Sequence, residues 1–200
     1  ALCLVGSEMC IRDRSNCSRE ENLKDASMLT TMLQKLNNLK YPTLAVIKGA
    51  AFGGGVGLIS CCDIALASEN SIFSLSEVKV GLIPATISPY VINAIGARNA
   101  RRLFTSGERF DSNIAKQINL VHEIAKEEDL EKRISYFINH FKQNGPQAVI
   151  AAKKIVLDIF NKEIDDSVIS HTCEVISALR TSKEGREGVT AFLEKRDPKW

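Results

Sequence analysis

Three consecutive glycines stand inside the most hydrophobic stretch of the chain, in the segment AAFGGGVGLISCCD (residues 50–63). Gly53, Gly54 and Gly55 lie between an apolar run and a short segment of helical character. A glycine turn that leads into a helix start presents unsatisfied N–H groups, which can hold a phosphate or a developing oxyanion. The same turn could serve only the close packing of a helix on a strand. The glycines alone do not separate these two interpretations.

A carboxylate follows about twenty residues later, in FSLSEVKVGLIP (residues 73–84). Glu77 has apolar neighbours there, and partial desolvation would raise its pKa into a range suited to proton transfer. Taken alone, this stretch favours a glutamate on a surface loop. The glycine spacing fits neither G-x-x-x-x-G-K-[ST] nor G-x-G-x-x-G, so a P-loop and a dinucleotide fingerprint are both unsupported.

The elements that must position these residues alternate between strand and helix. Ser18 and Glu21 form a capping box, and apolar residues at helical spacing extend the predicted helix over 19–39. Ser88, followed by a proline, is the predicted N-cap of a helix that Gly96 ends, and Asp111 caps another. The other predicted segments are a strand buried on both faces at 43–47, a short helix at 56–62, and strands at 64–67, 72–75 and 120–124. Strand, glycine turn, helix and strand in this order indicate an α/β crossover.

Beyond Glu127 the pattern is almost wholly helical. Thr181 and Glu184 form a second capping box, at the start of the last helix. The predicted helices cover 128–144, 146–161, 165–179 and 182–195. We therefore predict a β-containing core at 15–125 and a helical packing or assembly region at 126–200. Residues 1–14 follow neither a helical nor a strand period and look like translated adapter sequence, so we interpret them as non-native.

Composition and charge argue against several classes of function. The 200 residues are 44% hydrophobic and 25% charged with a net charge of +2, which gives no strong field for nucleic acid or a membrane surface. No apolar run approaches the roughly 18 residues of a transmembrane helix. The six cysteines form neither a C-x-x-C pair nor a zinc-type cluster with histidine, so no metal site is predicted. This cysteine usage favours a reducing, cytoplasmic location.

Several motifs, in order along the chain, resemble the crotonase family, the enoyl-CoA hydratase/isomerase superfamily. They are GAAFGGGVGLISCCDIALAS (49–68), FSLSEVKVGLIPATISPYV (73–91), TSGERFDSNIAKQINLVHEI (105–124) and GREGVTAFLEKR (185–196). The similarity runs from about Ser18 to the C-terminus. Within the family, SEVKVGLIPATISPYV (76–91) is most similar to the branch of methylglutaconyl-CoA hydratases and related bacterial acyl-CoA hydratases.

The resemblance implies an α/β spiral of stacked β-β-α turns, followed by C-terminal helices that assemble trimers or dimers of trimers. It also implies coenzyme A thioesters as substrates, with no cofactor beyond the coenzyme A of the substrate. In the family, two backbone N–H groups bind the thioester oxygen, and one of them comes from the middle glycine of the turn, which is Gly54. The other belongs to an upstream Ala-Gly-Asp-type loop. This chain contains no such segment, so we predict that it is an N-terminally truncated core.

The resemblance also assigns the acid and the substrate contacts. Glu77 matches the later of two family carboxylates, while the earlier position is Gly57, which cannot hold water or donate a proton. Three interpretations stay open: a hydratase that depends mainly on Glu77, an isomerase with one carboxylate, or a site that recruits Glu108 or Asp63. The other predicted substrate-binding residues are Gly53, Gly55, Gly57, Pro84, Phe192 and Lys195. For the last two, a core phenylalanine and a surface lysine are the alternative.

The predicted function is reversible hydration of a 2-enoyl-CoA, with 3-methylglutaconyl-CoA as one candidate substrate. Gly54 would polarise the thioester, and Glu77 would activate water and manage the α-carbon proton. Two alternatives remain: an enoyl-CoA isomerase, and a truncated subunit that binds coenzyme A without turnover.

Overall fold

Two three-stranded sheets form the β part of the chain in the computed structural model, which describes residues 17–200. The first sheet has the order β1–β3–β6 and is parallel throughout. The second has the order β2–β4–β5, with β4 parallel to β2 and antiparallel to β5. The strands are β1 Leu44–Ile47, β2 Ala50–Phe52, β3 Ile64–Ser68, β4 Ile72–Ser74, β5 Arg109–Asp111 and β6 Glu123–Ala125. The interpretation of residues 1–14 as non-native lies outside the described residues.

Eight α-helices and two 3-10 turns accompany these strands in residues 17–200. The helices are α1 Arg19–Asn37, α2 Gly54–Ser60, α3 Ser88–Ser106, α4 Ser112–Gln117, α5 Leu130–Gln143, α6 Pro146–Ile159, α7 Asp166–Thr181 and α8 Lys183–Glu194. The 3-10 turns are Ser76–Val80 and Glu127–Asp129. None of the helices in this part of the chain is long and apolar enough to cross a membrane.

The order of elements repeats once as strand, strand, helix. β1, β2 and α2 form the first unit of this repeat, and β3, β4 and α3 form the second. In each unit the first strand belongs to the first sheet and the second strand to the second sheet. This repetition confirms the predicted α/β spiral of β-β-α turns, and it brings the residues after β2 beside the residues after β4.

Several local predictions are corrected by the fold. β2 and β5, three residues each, were not predicted, because such short strands carry no readable period. β1 lies at an edge of the described sheet and leaves Val46 exposed, so it is not buried on both faces. The predicted strand at 120–124 begins only at Glu123, because the N–H of Leu120 and of Val121 bond to the Ala115 carbonyl at the end of α4.

α3 differs from its prediction at its N-terminus, whereas the helix break predicted at Gly96 is confirmed. Its N-cap is Ile87 instead of Ser88, and the Ser88 hydroxyl donates to the Ala85 carbonyl. Gly96 has φ 76° and ψ 155°, so it interrupts the helical backbone, yet helical structure resumes and continues to Ser106. The predictions for α1 and α4 are confirmed at their caps: Ser18 and Glu21 form the capping box, and Asp111 accepts from the Ile114 N–H.

The described residues divide into two compact units, one with the sequence up to Leu39 and Thr43–Glu131, the other with Lys40–Pro42 and Lys132–Trp200. The core of the first unit includes Phe73 and Phe110, whose rings stack at 5.6 Å on neighbouring strands. Val56 of α2 and Val91 of α3 are fully buried in the same core. Apolar packing in one core therefore joins α2 and α3 to the second sheet.

In the second unit, Glu184 has a different role from the one predicted. Its carboxylate accepts from the N–H groups of Gln147 and Ala148 at 2.9 and 2.8 Å, so it caps the start of α6 across the helix pair. Ser182, instead of Thr181, caps α8 by accepting from the Gly185 N–H. The predicted Thr181–Glu184 capping box is wrong, because a contact distant in sequence takes the glutamate that the local pattern assigned to it.

Candidate active site

The glycine turn connects β2 to α2 and has a backbone that only glycine adopts easily. Gly53 has φ 51° and ψ −116°, a conformation that L side chains disfavour. Its N–H donates to the Ser74 carbonyl at 2.9 Å, which extends the β2–β4 pairing by one residue. The turn is thus anchored to the end of β4.

Two amides of this turn are open. The Gly53 carbonyl accepts from the N–H of Val56 at 2.9 Å and from that of Gly57 at 3.3 Å, which closes the first turn of α2. The N–H groups of Gly54 and Gly55 have no hydrogen-bond acceptor within residues 17–200. Both donors are therefore available to a ligand, as the oxyanion role predicted for Gly54 requires.

The Glu77 carboxyl lies directly beside this turn. Glu77 is in the 3-10 turn that follows β4, and β4 pairs with β2, so the two turns leave the second sheet side by side. A Cβ atom placed on Gly53 would be 2.9 Å from Oε1 of Glu77 and 3.4 Å from its Cδ. Gly53 is therefore needed twice, for its positive φ and for the space that the carboxyl occupies.

The environment of Glu77 favours its protonated form. Oε2 is buried and has no hydrogen-bond partner among the described residues. Burial raises the pKa of Glu77 and outweighs the smaller, opposite effect of its own backbone N–H. A buried carboxyl oxygen without a partner is uncommon in folded proteins, and a bound water or substrate hydroxyl would satisfy it. This geometry suits an acid that exchanges protons with a ligand above the glycine turn.

Gly57 is packed against a distant residue of the chain, and its predicted substrate contact stays a prediction. It is buried, and a Cβ placed on it would be 2.2 Å from Cγ2 of Ile87 and 2.6 Å from Cβ of Ile87. Ile87 therefore fills the space that a side chain at 57 would need. Pro84 is also buried, on the connection from the Ser76–Val80 turn to α3, whereas Leu82 and Ile83 before it are exposed.

The two alternative acids are engaged elsewhere. The Glu108 carboxylate accepts from Nε and Nη2 of Arg102 at 2.8 and 3.1 Å, and these hydrogen bonds hold its pKa below the usual range. Asp63 accepts from the N–H and the hydroxyl of Thr43 at 2.7 and 2.8 Å, which ties the start of β3 to the start of β1. Of the three acids considered, Glu77 alone borders the glycine turn.

Phe192 and Lys195 belong to the second unit, at the end of α8. Phe192 is 82% exposed, so the alternative interpretation as a core residue is wrong. Lys195 is exposed and ends α8 in a left-handed conformation with φ 56°. Their predicted contact with coenzyme A stays a prediction.

Ile87 is the residue of this region that the sequence did not reveal. It is 2% exposed and contacts a glycine thirty positions earlier. The only local signal is an isoleucine at the N-cap of α3, where residues with a hydrogen-bonding side chain are preferred.

Comparisons with known proteins agree on one family. Residues 11–200 match the model of the enoyl-CoA hydratase/isomerase family. The crystal structure of an enoyl-CoA hydratase from Shewanella pealeana is 42% identical, with a TM-score of 0.93 over 98% of this chain and 73% of that one. AtuE of Pseudomonas aeruginosa is 28% identical, with a TM-score of 0.92 over 96% of this chain and 75% of that one.

Two curated relatives carry different activities in their names. An enoyl-CoA hydratase of Alternaria alternata is 32% identical over 86% of this chain and 59% of its own length. A mitochondrial Δ3,5-Δ2,4-dienoyl-CoA isomerase of Dictyostelium discoideum is 33% identical over 83% of this chain and 57% of its own length. The chain thus spans less than two thirds of either relative, and similarity alone does not choose between hydratase and isomerase.

Proposed function

Because this chain belongs to the enoyl-CoA hydratase/isomerase family, we propose that it catalyses the reversible addition of water to a 2-enoyl-CoA thioester. The observation that carries the proposal is the position of the Glu77 carboxyl against Gly53, next to the open N–H of Gly54. An acid and an amide donor at one turn can act on a single carbonyl compound from two sides.

The proposed steps need only these groups, water and the substrate. The Gly54 N–H donates to the thioester oxygen and makes C3 of the enoyl group electrophilic. Ionised Glu77 takes a proton from a water molecule while the water oxygen bonds to C3, and the electron pair of the double bond moves to the thioester oxygen as an enolate. Glu77 then returns its proton to C2 on the same face. The reverse sequence eliminates water, and the raised pKa of Glu77 suits both directions.

One observation favours a second candidate, an enoyl-CoA isomerase. Ile87 fills the space beside Gly57, so within residues 17–200 Glu77 is the one carboxyl found against the turn. One carboxyl suffices to remove a proton from C2 of a 3-enoyl-CoA and return it to C4, because no water has to be oriented. The same Gly54 N–H would stabilise the dienolate between the two proton transfers.

Parallel assays separate these functions. We expect the purified chain to hydrate crotonyl-CoA and 3-methylglutaconyl-CoA, read as loss of the enoyl absorbance, faster than it isomerises 3-hexenoyl-CoA. The 3-methylglutaconyl compound tests the branch that residues 76–91 resemble. Faster isomerisation would contradict the hydratase and support the isomerase. Binding of coenzyme A without either reaction would support a non-catalytic subunit.

We also propose that the second unit assembles copies of the chain into a trimer or a dimer of trimers. Large apolar side chains are exposed along its helices, a pattern that marks interaction surfaces. They include Val156, Phe160, Ile164, Ile169, Ile176, Val189, Phe192 and Leu193. Helices α6 and α7 bury none of their own residues in the single chain, so packing between copies would supply the missing burial.

Light scattering on size-exclusion fractions tests this assembly. We expect a mass of three or six chains for the wild type, and a smaller species for the double substitution Phe192→Ser, Leu193→Ser. The matched control is Ser177→Ala on exposed α7, which leaves the apolar surface in place. A monomeric wild type would contradict the proposal.

A further inference from the structure

The segment that carries Glu77 is held on α2 at both of its ends. At one end, Oε1 of Glu77 occupies the space that a side chain at Gly53 would need. Ten residues later, Ile87 occupies the space that a side chain at Gly57 would need. Gly53 and Gly57 are linked directly, because the Gly57 N–H donates to the Gly53 carbonyl. The two contacts therefore lie one helical turn apart on the helix whose first amides are open.

Between these ends the segment is packed at two points, at Val78 beside Gly107 and at Pro84, which is buried. The N–H of Gly81 and of Leu82 bond back to the carbonyls of Val78 and Glu77, so the chain folds onto the acidic residue itself. Val80, Leu82 and Ile83 are exposed. The first fully buried large side chain after them is Ile87. Beyond the exposed residues 82 and 83, the connection that leaves Glu77 is thus fixed by two buried residues, Pro84 and Ile87.

Ile87 is also an unfavourable choice for its own helix. It is the N-cap of α3 and makes no side-chain cap, whereas Ser, Thr, Asp or Asn would satisfy a free N–H there. Its carbonyl accepts from the N–H groups of Tyr90 and Val91, so it is fixed in the first turn of α3. Ile87 thus departs from the N-cap preference while it fills the space beside Gly57. Such a departure often indicates a role beyond local stability.

We propose that Ile87 is a positioning residue: its side chain, seated on Gly57, anchors the 77–87 segment and keeps the Glu77 carboxyl beside the open Gly54 amide. The inference rests on the proposed function, because the catalytic consequence is measured on that reaction. Ile87 does not touch the reacting atoms. It acts through the segment that joins it to Glu77 and through the α2 turn that it contacts.

The first test compares Ile87→Ala with Ile95→Ala, a buried isoleucine two turns into α3, since the three atoms nearest to a Cβ at Gly57 all belong to Ile87. Both substitutions open a cavity and should lower Tm by several degrees. For Ile87→Ala we also expect kcat to fall about 10- to 100-fold with little change in KM, because the acid is displaced from its productive position. Ile95→Ala should leave kcat close to wild type.

A size exchange tests the contact itself. Gly57→Ala would place its Cβ within 3 Å of two Ile87 atoms, so this variant should lose activity. Combining it with Ile87→Gly removes both atoms, and we expect the pair to recover part of the kcat that Gly57→Ala loses. Glycine is tolerated at an N-cap, so the second change does not by itself remove a helix cap. If each substitution only lowered the stability of the fold, the two losses would add in the double variant. If the two side chains collide specifically, the double variant recovers part of the kcat.

Hydrogen exchange supplies a readout that does not depend on turnover. In Ile87→Ala the amides of Gly81 and Leu82 should exchange faster, while in Ile95→Ala they should keep their wild-type rates. If Ile87→Ala does not fold, Ile87→Val against Ile95→Val gives the same comparison. Equal kcat and equal exchange in the two alanine variants would overturn the role of Ile87. An inactive wild type with the exchange difference intact would instead contradict the proposed function alone.

Discussion

Glu77→Gln is expected to lower kcat for hydration by about 10²–10⁴-fold while the chain stays folded. Glutamine has nearly the same shape, so it can occupy the space beside Gly53, but its amide cannot take a proton from water or return one to C2. The measurement is steady-state hydration of crotonyl-CoA, with circular dichroism to verify folding.

The matched control is Glu108→Gln, which changes the same group at a position already hydrogen-bonded to Arg102. It should keep kcat within a small factor of wild type, because the Glu108 carboxylate serves an ion pair. A large loss in Glu108→Gln together with a small loss in Glu77→Gln would reassign the acid.

The same Glu77→Gln variant should be more stable than wild type at neutral and higher pH. Burial raises the pKa of Glu77 in the folded chain above its unfolded value, so the folded state holds this proton more tightly. At low pH both states are protonated and the group contributes nothing. As pH rises, the unfolded state releases its proton first, and ionisation then destabilises the fold. We expect Tm of the variant to exceed that of the wild type at pH 8 and to match it near pH 4.

A variant with a lower Tm at pH 8 would show that the Glu77 carboxylate stabilises the fold. That result would contradict the account of a desolvated acid, since a carboxylate that gains from its surroundings has a lowered pKa.

Removal of the Gly54 N–H alone should lower kcat by about 10²–10³-fold. An ester in place of the Gly53–Gly54 peptide bond, introduced with glycolic acid at position 54, deletes this donor without adding an atom. The Gly54 N–H has no acceptor in the described chain, so its loss breaks no intramolecular hydrogen bond there. The effect should therefore fall on the transition state and leave Tm nearly unchanged.

An ester at Gly55 is the control, since that N–H is also open and belongs to the same turn. We expect its kcat to remain near the wild-type value. Equal losses at both positions would mean that two adjacent amides of this turn bind the thioester oxygen. No loss at Gly54 would remove it from the site.

The sequence predicted the site residues that belong to continuous motifs. It did not predict the contacts between residues that are far apart in the sequence. The glycine triplet and Glu77 stand in continuous motifs, and glycine adopts backbone conformations that other residues disfavour, so both segments were found. The pairing of β2 with β4, which brings Glu77 against Gly53, follows from the predicted spiral. β2 itself has three residues and no measurable period, so it was missed.

Contacts between distant residues account for the remaining errors. Glu184 fits a local capping box equally well, but the bare Gly145 leaves room for its carboxylate, which instead reaches the open amides of α6. Gly57 looks like a fourth glycine of the ligand turn until Ile87 is seen to fill its notch. In both cases the side chain of a residue far away in the sequence occupies the space that a side chain at the glycine would need. A single sequence does not identify that distant residue.

Deuterium incorporation at C2 of butyryl-CoA, followed by NMR in D₂O, tests most directly whether Glu77 and the Gly54 amide act on one thioester. This saturated compound has no double bond to hydrate, so exchange requires only a base at C2 and a donor at the thioester oxygen. We predict exchange with the wild-type chain and its loss both in Glu77→Gln and in the Gly54 ester. Exchange that persists unchanged in either variant would contradict the account.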